Sequence, residues 1–431
     1  MIECEPSTTF ANVTDLIEDS AAVWDASPAD FPHLESYIVD EQERRERLLD
    51  CHLDAIDVEL RQTSRTRMAA ERTIARITSL FVQVSTYSLE IDNPRIQNLL
   101  ESGFSQVGTD LARSARRLDP DVSMIDILQA ARNAWTACGL QVILGRTLRL
   151  TPAIFAYSML YPYSDNCLDD PAISRETKLR FNERFRRRLQ GERSPANNKR
   201  DEIVWYLVGL IESEYPRAKY PQVYDSLLAI HTAQQESLRQ MERAREDCDV
   251  LRLTLAKGGT SVLADAYLAA GQLKPLEARF AFNWGVALQL GDDLQDLYAD
   301  QARGSLTLFT QAAERGSLDA ITSKTFHFSG KIMDQMSDLA SASAAMKDLL
   351  ARSSRMLLIR SAANAPEAYT GPYLAALEQN SPFRFDFLRE RETRFARRRR
   401  SYARLFEQVV SRLPEWTPAS SLVSAPQLAS S

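Results

Sequence analysis

Apolar side chains recur along this chain at intervals of three and four, with no convincing run of strict alternation. That spacing lines one face of an α-helix, whereas alternation would build a strand. From 38 to 92 a charged stretch carries an apolar stripe through Leu48, Leu49, His52, Leu53, Ile56, Val58 and Leu60, then another through Ile74, Ile77, Leu80 and Phe81. Asp92-Asn93-Pro94 breaks the pattern, because the residue before a proline avoids helical angles. Helices follow, punctuated by Asp119-Pro120, Gly139, Gly145 and Pro152. Thr151-Pro152 reads as an N-cap followed by proline in the first turn, opening a helix over 153–168. Asp170-Pro171 stops it, and another helix begins near Ser174. A long helix over 224–255 is expected to kink or break at Lys257-Gly258-Gly259-Thr260, where two glycines weaken it. Pro275 opens a helix over 276–298, and more helices run to 413. The expected fold class is all-α, with a single domain over 38–413. Residues 1–37 lack sustained periodicity and read as a loosely ordered lead-in; 414–431, rich in Ser, Pro and Ala, read as a disordered tail.

Composition narrows the function classes. The chain is 44% apolar and 26% charged with net charge −6, the balance of a water-soluble globular protein without the basic excess of a nucleic-acid binder. The arginine runs 186–188 and 397–400 lie in helical stretches with acidic neighbours and read as solvated faces. Glycine is scarce, 15 in all, which disfavours glycine-rich phosphate loops. Cys4, Cys51, Cys138, Cys167 and Cys248 are scattered and show no C-x-x-C spacing, which points to free thiols in a reducing compartment. The first residues carry neither the basic nor the apolar region of a secretory signal, and no apolar run is long enough to span a bilayer. The expected location is therefore cytoplasmic, with at most a peripheral contact with membrane. The histidines His33, His52, His231 and His327 have no zinc-ligand spacing.

The chemistry lies in two acidic clusters, Asp165-Asn166-Cys167-Leu168-Asp169-Asp170 and Asp292-Asp293-Leu294-Gln295-Asp296. Each pairs two carboxylates four positions apart, on one helical face. Like charges so placed destabilise a helix by about 0.2–0.5 kcal/mol, and a hard divalent cation is the natural compensation. Aromatic and apolar residues precede both: Phe155, Tyr157, Met159, Leu160, Tyr161 and Tyr163, then Phe280, Phe282, Trp284, Val286, Leu288 and Leu290. They fit either a greasy site wall or ordinary core.

Gly285-x-Ala287-Leu288-Gln289-Leu290-Gly291-Asp292-Asp293-Leu294-Gln295-Asp296 resembles the second aspartate motif of class I isoprenoid synthases, nearest to the G-x-x-x-Q-x-x-D-D-x-x-D of trans-prenyl diphosphate synthases. Asp165-x-x-x-Asp169-Asp170, with Tyr163-Ser164 ahead and Asn166 within, resembles the first motif as found in squalene and phytoene synthases and related large-terpene synthases. The likeness covers about residues 130–310. It implies a helical bundle around a central apolar cavity. Asp165, Asp169 and Asp170 on one wall and Asp292, Asp293 and Asp296 on the other would hold about three Mg²⁺ around a prenyl diphosphate. Asp165, Asp169, Asp292 and Asp296 would be the catalytic carboxylates. Lys257 and Arg303 would meet the diphosphate, Gln289 would face the cavity, and Asn166, Tyr157 and Tyr161 would also bind substrate. Dimerisation, common in this fold, is implied only by the resemblance. Gly145-Arg146-Thr147-Leu148-Arg149 faintly resembles the G-K-x-x-R-P segment of prenyl diphosphate synthases, and Arg146 or Arg149 would then face a phosphate.

The chain departs from each subfamily. It has no N-D-x-x-S-x-x-x-E motif, and its first motif is not the D-D-x-x-D of chain-elongating enzymes. The favoured reaction is Mg²⁺-dependent ionisation of one prenyl diphosphate, C15 or longer, followed by cyclisation or rearrangement. The alternatives are coupling of two prenyl units, a non-catalytic helical binding module, and a metal-dependent hydrolase of other diphosphates.

Overall fold

A computed structural model describes residues 11–61, 67–169, 173–240, 249–339 and 341–410, with the backbone alone at some helical positions, among them 165–169. Helices take up 79% of the described residues, and no strand occurs among them. The helices are α1 (Val13–Asp25), α2 (Val39–Arg61), α3 (Arg67–Leu89), α4 (Pro94–Asn98), α5 (Ser105–Leu118), α6 (Met124–Ile143), α7 (Pro152–Asp169), α8 (Arg175–Leu189) and α9 (Lys199–Glu214). They continue with α10 (Pro221–Gln240), α11 (Val250–Ala270), α12 (Pro275–Gln295), α13 (Leu297–Arg303), α14 (Leu308–Arg315), α15 (Asp319–Gln335), α16 (Ala344–Ala363), α17 (Gly371–Gln379) and α18 (Phe385–Val410). No described helix is long and apolar enough to cross a membrane.

Short polar residues set many of the boundaries by satisfying backbone N–H groups that a helix start leaves open. Asn93, Ser123, Ser174, Asn198 and Asp249 each accept such a bond at the start of α4, α6, α8, α9 and α11. Thr151 does the same for α7 through the Ile154 N–H at 3.2 Å.

The centre of the fold is the antiparallel pair α11 and α12, with α6 and α10 packed on α11 and α15 and α16 on α12. The expected kink at Lys257-Gly258-Gly259-Thr260 is absent, and α11 runs through these residues unbroken. The glycines serve close approach instead. A Cβ on Gly258 would lie 2.5 Å from Gln289 Cβ, and one on Gly285 would lie 2.2 Å from the Gly258 carbonyl. Phe282 fills the space over Gly259, its ring 2.3 Å from where a Cβ would stand. Helix interiors tolerate glycine at a cost of about 1 kcal/mol, which packing here offsets.

Three other expectations need correction. Residues 13–25 of the lead-in form α1, which buries Leu16, Ile17 and Trp24 against the core and sets Trp24 edge-on to Phe328 at 5.8 Å. Val13, Leu16, Ile17, Ala21 and Trp24 do keep the helical spacing over this short segment, and its stability comes from docking on α11 and α15. Residues 1–10 and the expected tail 414–431 lie outside the described residues. The helix expected over 276–298 ends at Gln295; Asp296 (φ −93°, ψ 10°) joins it to α13, which Gly304 closes in the left-handed region.

The arginine runs are solvated only in part: Arg186, Arg187 and Arg397 are exposed as expected, and Arg188 and Arg398 are not. Arg188 is buried and bonds Glu212 through both Nη atoms, at 2.7 and 2.5 Å. Arg398, from the second run, pairs with Asp57 of α2. It completes a ladder in which Arg384 holds Glu43 and Glu46, Arg391 holds Asp50, and Arg394 holds Asp54 and Asp57. Arg399 and Arg400 side chains lie outside the described set.

Candidate functional site

The close crossing of α11 and α12 sets Lys257 beside the second acidic cluster. Its charge acts on the carboxyls of Asp292, Asp293 and Asp300. Asp293 is buried, and Gln289 Nε2 donates to its Oδ1 at 2.7 Å, as expected from their one-turn separation. Burial raises the Asp293 carboxyl to about 7, against the opposing pull of Gln289 and Lys257 and with Asp300 and Asp292 adding to the rise. Asp292 is half exposed, and burial together with the neighbouring Asp296 carboxylate raises it as well. Asp296 lies exposed at the helix junction.

Arg132 of α6 reaches across to Asp292, Nη2 to Oδ1 3.8 Å, with both side chains largely open to solvent. Asp300 follows one turn after Asp296, its N–H bonded to the Asp296 carbonyl at 2.8 Å. Burial and the Asp296 charge raise its carboxyl, while Arg303 opposes the rise. Arg303 is thus placed beside the acidic wall. Neither Arg132 nor Asp300 was legible as a site residue from the motifs. Asp300 continues the four-residue spacing and carried a usable signal; Arg132 carried none.

The first cluster is only partly described. The backbone of Asp165–Asp169 continues α7, but the side chains of Asp165, Asn166 and Asp169, and all of Asp170, lie outside the described residues. The course of α7 is fixed by contacts with α6 and its flanks: Cys138 Sγ to the Arg149 carbonyl at 3.6 Å, Asn133 Nδ2 to Ser158 Oγ at 3.2 Å, and Tyr163 Oη to Asp119 Oδ2 at 2.8 Å. The two helices are antiparallel, and α7 carries 165–169 toward the N-terminal end of α6. Arg132 also precedes Asn133 on that side, where it meets Asp292.

The aromatic residues divide. Phe280 and Phe282 are fully buried in the helix packing and are core. Phe155, Met159 and Leu160 are buried too, while Tyr163 is held by Asp119. Tyr157 is partly buried and Tyr161 is 42% exposed. Arg146 and Arg149 precede the start of α7, at the end remote from its aspartates by about 20 Å. Arg149 acts there on Glu214, which accepts from the Ala153 N–H at 2.8 Å. The distance rules out a shared phosphate site.

Among the described residues no group of three His, Cys, Asp or Glu side chains is gathered as a ready metal cage. The donor set nevertheless suits Mg²⁺, which keeps several waters and takes one or two carboxylates plus substrate phosphate oxygens. Hard carboxylate oxygens are offered by Asp292, Asp293, Asp296 and Asp300, with Lys257, Arg132 and Arg303 beside them to meet anionic oxygens. Below this rim, Asn133 also donates to Asp265 Oδ1 at 3.1 Å. Asp265 is 1% exposed, and burial pushes its carboxyl well above the usual range. A single acid in the apolar run Val262-Leu263-Ala264-Asp265-Ala266-Tyr267-Leu268 is a sequence signal that motif reading passes over. Compared with known protein families, curated proteins and solved structures, the chain matches none.

Proposed function

We propose that the protein is a Mg²⁺-dependent class I terpene synthase that ionises a prenyl diphosphate of C15 or longer and cyclises or rearranges the resulting cation. The observation that carries this reading is the gathering of Asp292, Asp293, Asp296 and Asp300 with Lys257 and Arg132 at one end of an all-α bundle. Acidic and basic groups side by side suit a metal–diphosphate cluster, in which each sign has an opposite partner. In the proposal the backbone course of α7 brings Asp165 and Asp169 to the facing wall, and Asp170 follows them.

Magnesium bound there would neutralise the charge developing on the departing diphosphate. Lys257 and Arg132 would bind the same diphosphate oxygens, Arg132 exchanging its long contact with Asp292 for a shorter bidentate one. Gln289 fixes the Asp293 carboxyl by its bond to Oδ1. Tyr157 and Tyr161 would face the hydrocarbon and stabilise the cation by about 0.5–2 kcal/mol each. The central apolar cavity that excludes water belongs to the proposal. So do a cytoplasmic location and a homodimer.

The test is product analysis with purified protein and Mg²⁺, offering C10, C15, C20 and C25 prenyl diphosphates singly and then with isopentenyl diphosphate. The expected outcome is a hydrocarbon or alcohol and released diphosphate from one substrate, both lost in Asp165→Ala and Asp292→Ala. A longer product that needs two substrates would replace cyclisation by prenyl coupling. No turnover across the panel by folded, Mg²⁺-loaded protein would overturn the isoprenoid reading.

A further inference from the structure

Asn133 uses its amide to tie three helices together. One N–H goes to Ser158 of α7 and one to Asp265 of α11, at 3.2 and 3.1 Å. Ser158 is 0% and Asp265 1% exposed, so these bonds satisfy groups that water does not reach. Each helix in the junction also bears part of the site. Arg132 is the neighbour of Asn133 on α6. Asp165 lies two turns, about 10 Å, beyond Ser158 on α7, and Lys257 lies about 12 Å before Asp265 on α11. Sliding any of the three helices would break a buried hydrogen bond and leave a polar group bare.

We infer that the Asn133–Ser158–Asp265 junction is a positioning node, which keeps the helices bearing Arg132, Asp165–Asp169 and Lys257 in the register that a metal–diphosphate cluster requires. The inference rests on the proposed function and adds residues that lie outside both aspartate motifs. None of the three touches the diphosphate; they act through the helices. Partners of this kind set ligand-bearing groups to well within an ångström, and their loss commonly weakens metal binding by about 10–100-fold.

The test is titration calorimetry of full-length protein with Mg²⁺ and inorganic pyrophosphate, at a temperature where circular dichroism shows every variant folded. Asn133→Leu, which keeps the volume and removes both bonds, is expected to weaken binding by about 10-fold or more. Asp265→Asn, which keeps an acceptor for Asn133, is expected to bind like the wild type. Ser158→Ala, which removes one arm, is expected to fall between them, and it carries the test if Asn133→Leu does not fold. Unchanged affinity in both Asn133→Leu and Ser158→Ala, with only a lower unfolding midpoint, would mark a packing role and overturn the inference. Loss of binding in Asp265→Asn would overturn it too, by showing that the carboxyl itself is needed. Asp292→Ala reports on the underlying reading: it is expected to abolish binding, and if it binds as the wild type, the proposed function falls and the inference with it.

Discussion

Asp293 is where burial and charge compete most directly in this molecule. Its carboxyl stands at about 7 in the folded protein, against 3.8 for a free one, because desolvation outweighs Lys257 and the Gln289 hydrogen bond. Between those values the folded state keeps a proton that the unfolded chain has released. Stability from this group is therefore full below about pH 4 and is lost as pH rises toward 7, by up to about 4 kcal/mol. Asp293→Asn removes that slope while keeping an acceptor for Gln289. Denaturant unfolding of metal-free protein should show the variant gaining on the wild type between pH 4.5 and pH 8; a constant difference would refute the account. The residue types of this site were legible from sequence, because carboxylates at four-residue spacing announce themselves. Arg132, Asn133 and Asp265 were not, since their role depends on which helices become neighbours.

At the scale of elements, the crossing of α11 and α12 decides whether Lys257 can meet the aspartates at all. Gly285→Ala would drive a Cβ to 2.2 Å from the Gly258 carbonyl, a backbone atom that cannot swing aside. The helices must separate, at about 1–3 kcal/mol of overpacking, and Lys257 must recede from Asp292 and Asp293. Thermal unfolding should show a lower midpoint, and Mg²⁺–pyrophosphate affinity should fall with it. A stable variant with full affinity would show that the close approach is dispensable. Sequence reading placed Gly258 and Gly259 in a helical neighbourhood but took them for a kink or break. Glycine weakens an isolated helix and also lets two helices touch, and only the partner surface tells which applies.

At the scale of the whole molecule, one continuous buried cluster extends from Leu16 in α1 to Ala403 in α18. The α1 helix belongs to this core, and its apolar spacing at 13, 16, 17, 21 and 24 carries the signal over only three turns. Deleting residues 1–26 would expose the surface beneath Leu16, Ile17 and Trp24, worth roughly 1.5–3 kcal/mol for each large side chain before the cost of ordering the helix. The truncated protein should unfold at clearly lower denaturant concentration. An unchanged midpoint would return the segment to the status of a lead-in. The charge ladder between α2 and α18 joins its helices in a different way, by pairing one arginine-rich face with one acidic face.

The sequence alone determined the all-α class, many of the helix starts, and the two acidic clusters. Each of these depends on neighbours within a turn or two: apolar spacing, a capping oxygen, a proline, a carboxylate pair. The tertiary structure decided what depends on contact between distant segments. It turned an expected kink into a helix crossing, drew α1 into the core and assigned Phe282 to packing. It set Arg146 and Arg149 far from the aspartates, and Arg132 and Asp300 beside them. Side-chain burial and charge pairing follow from the packing of whole helices, and no local window of the chain contains that information.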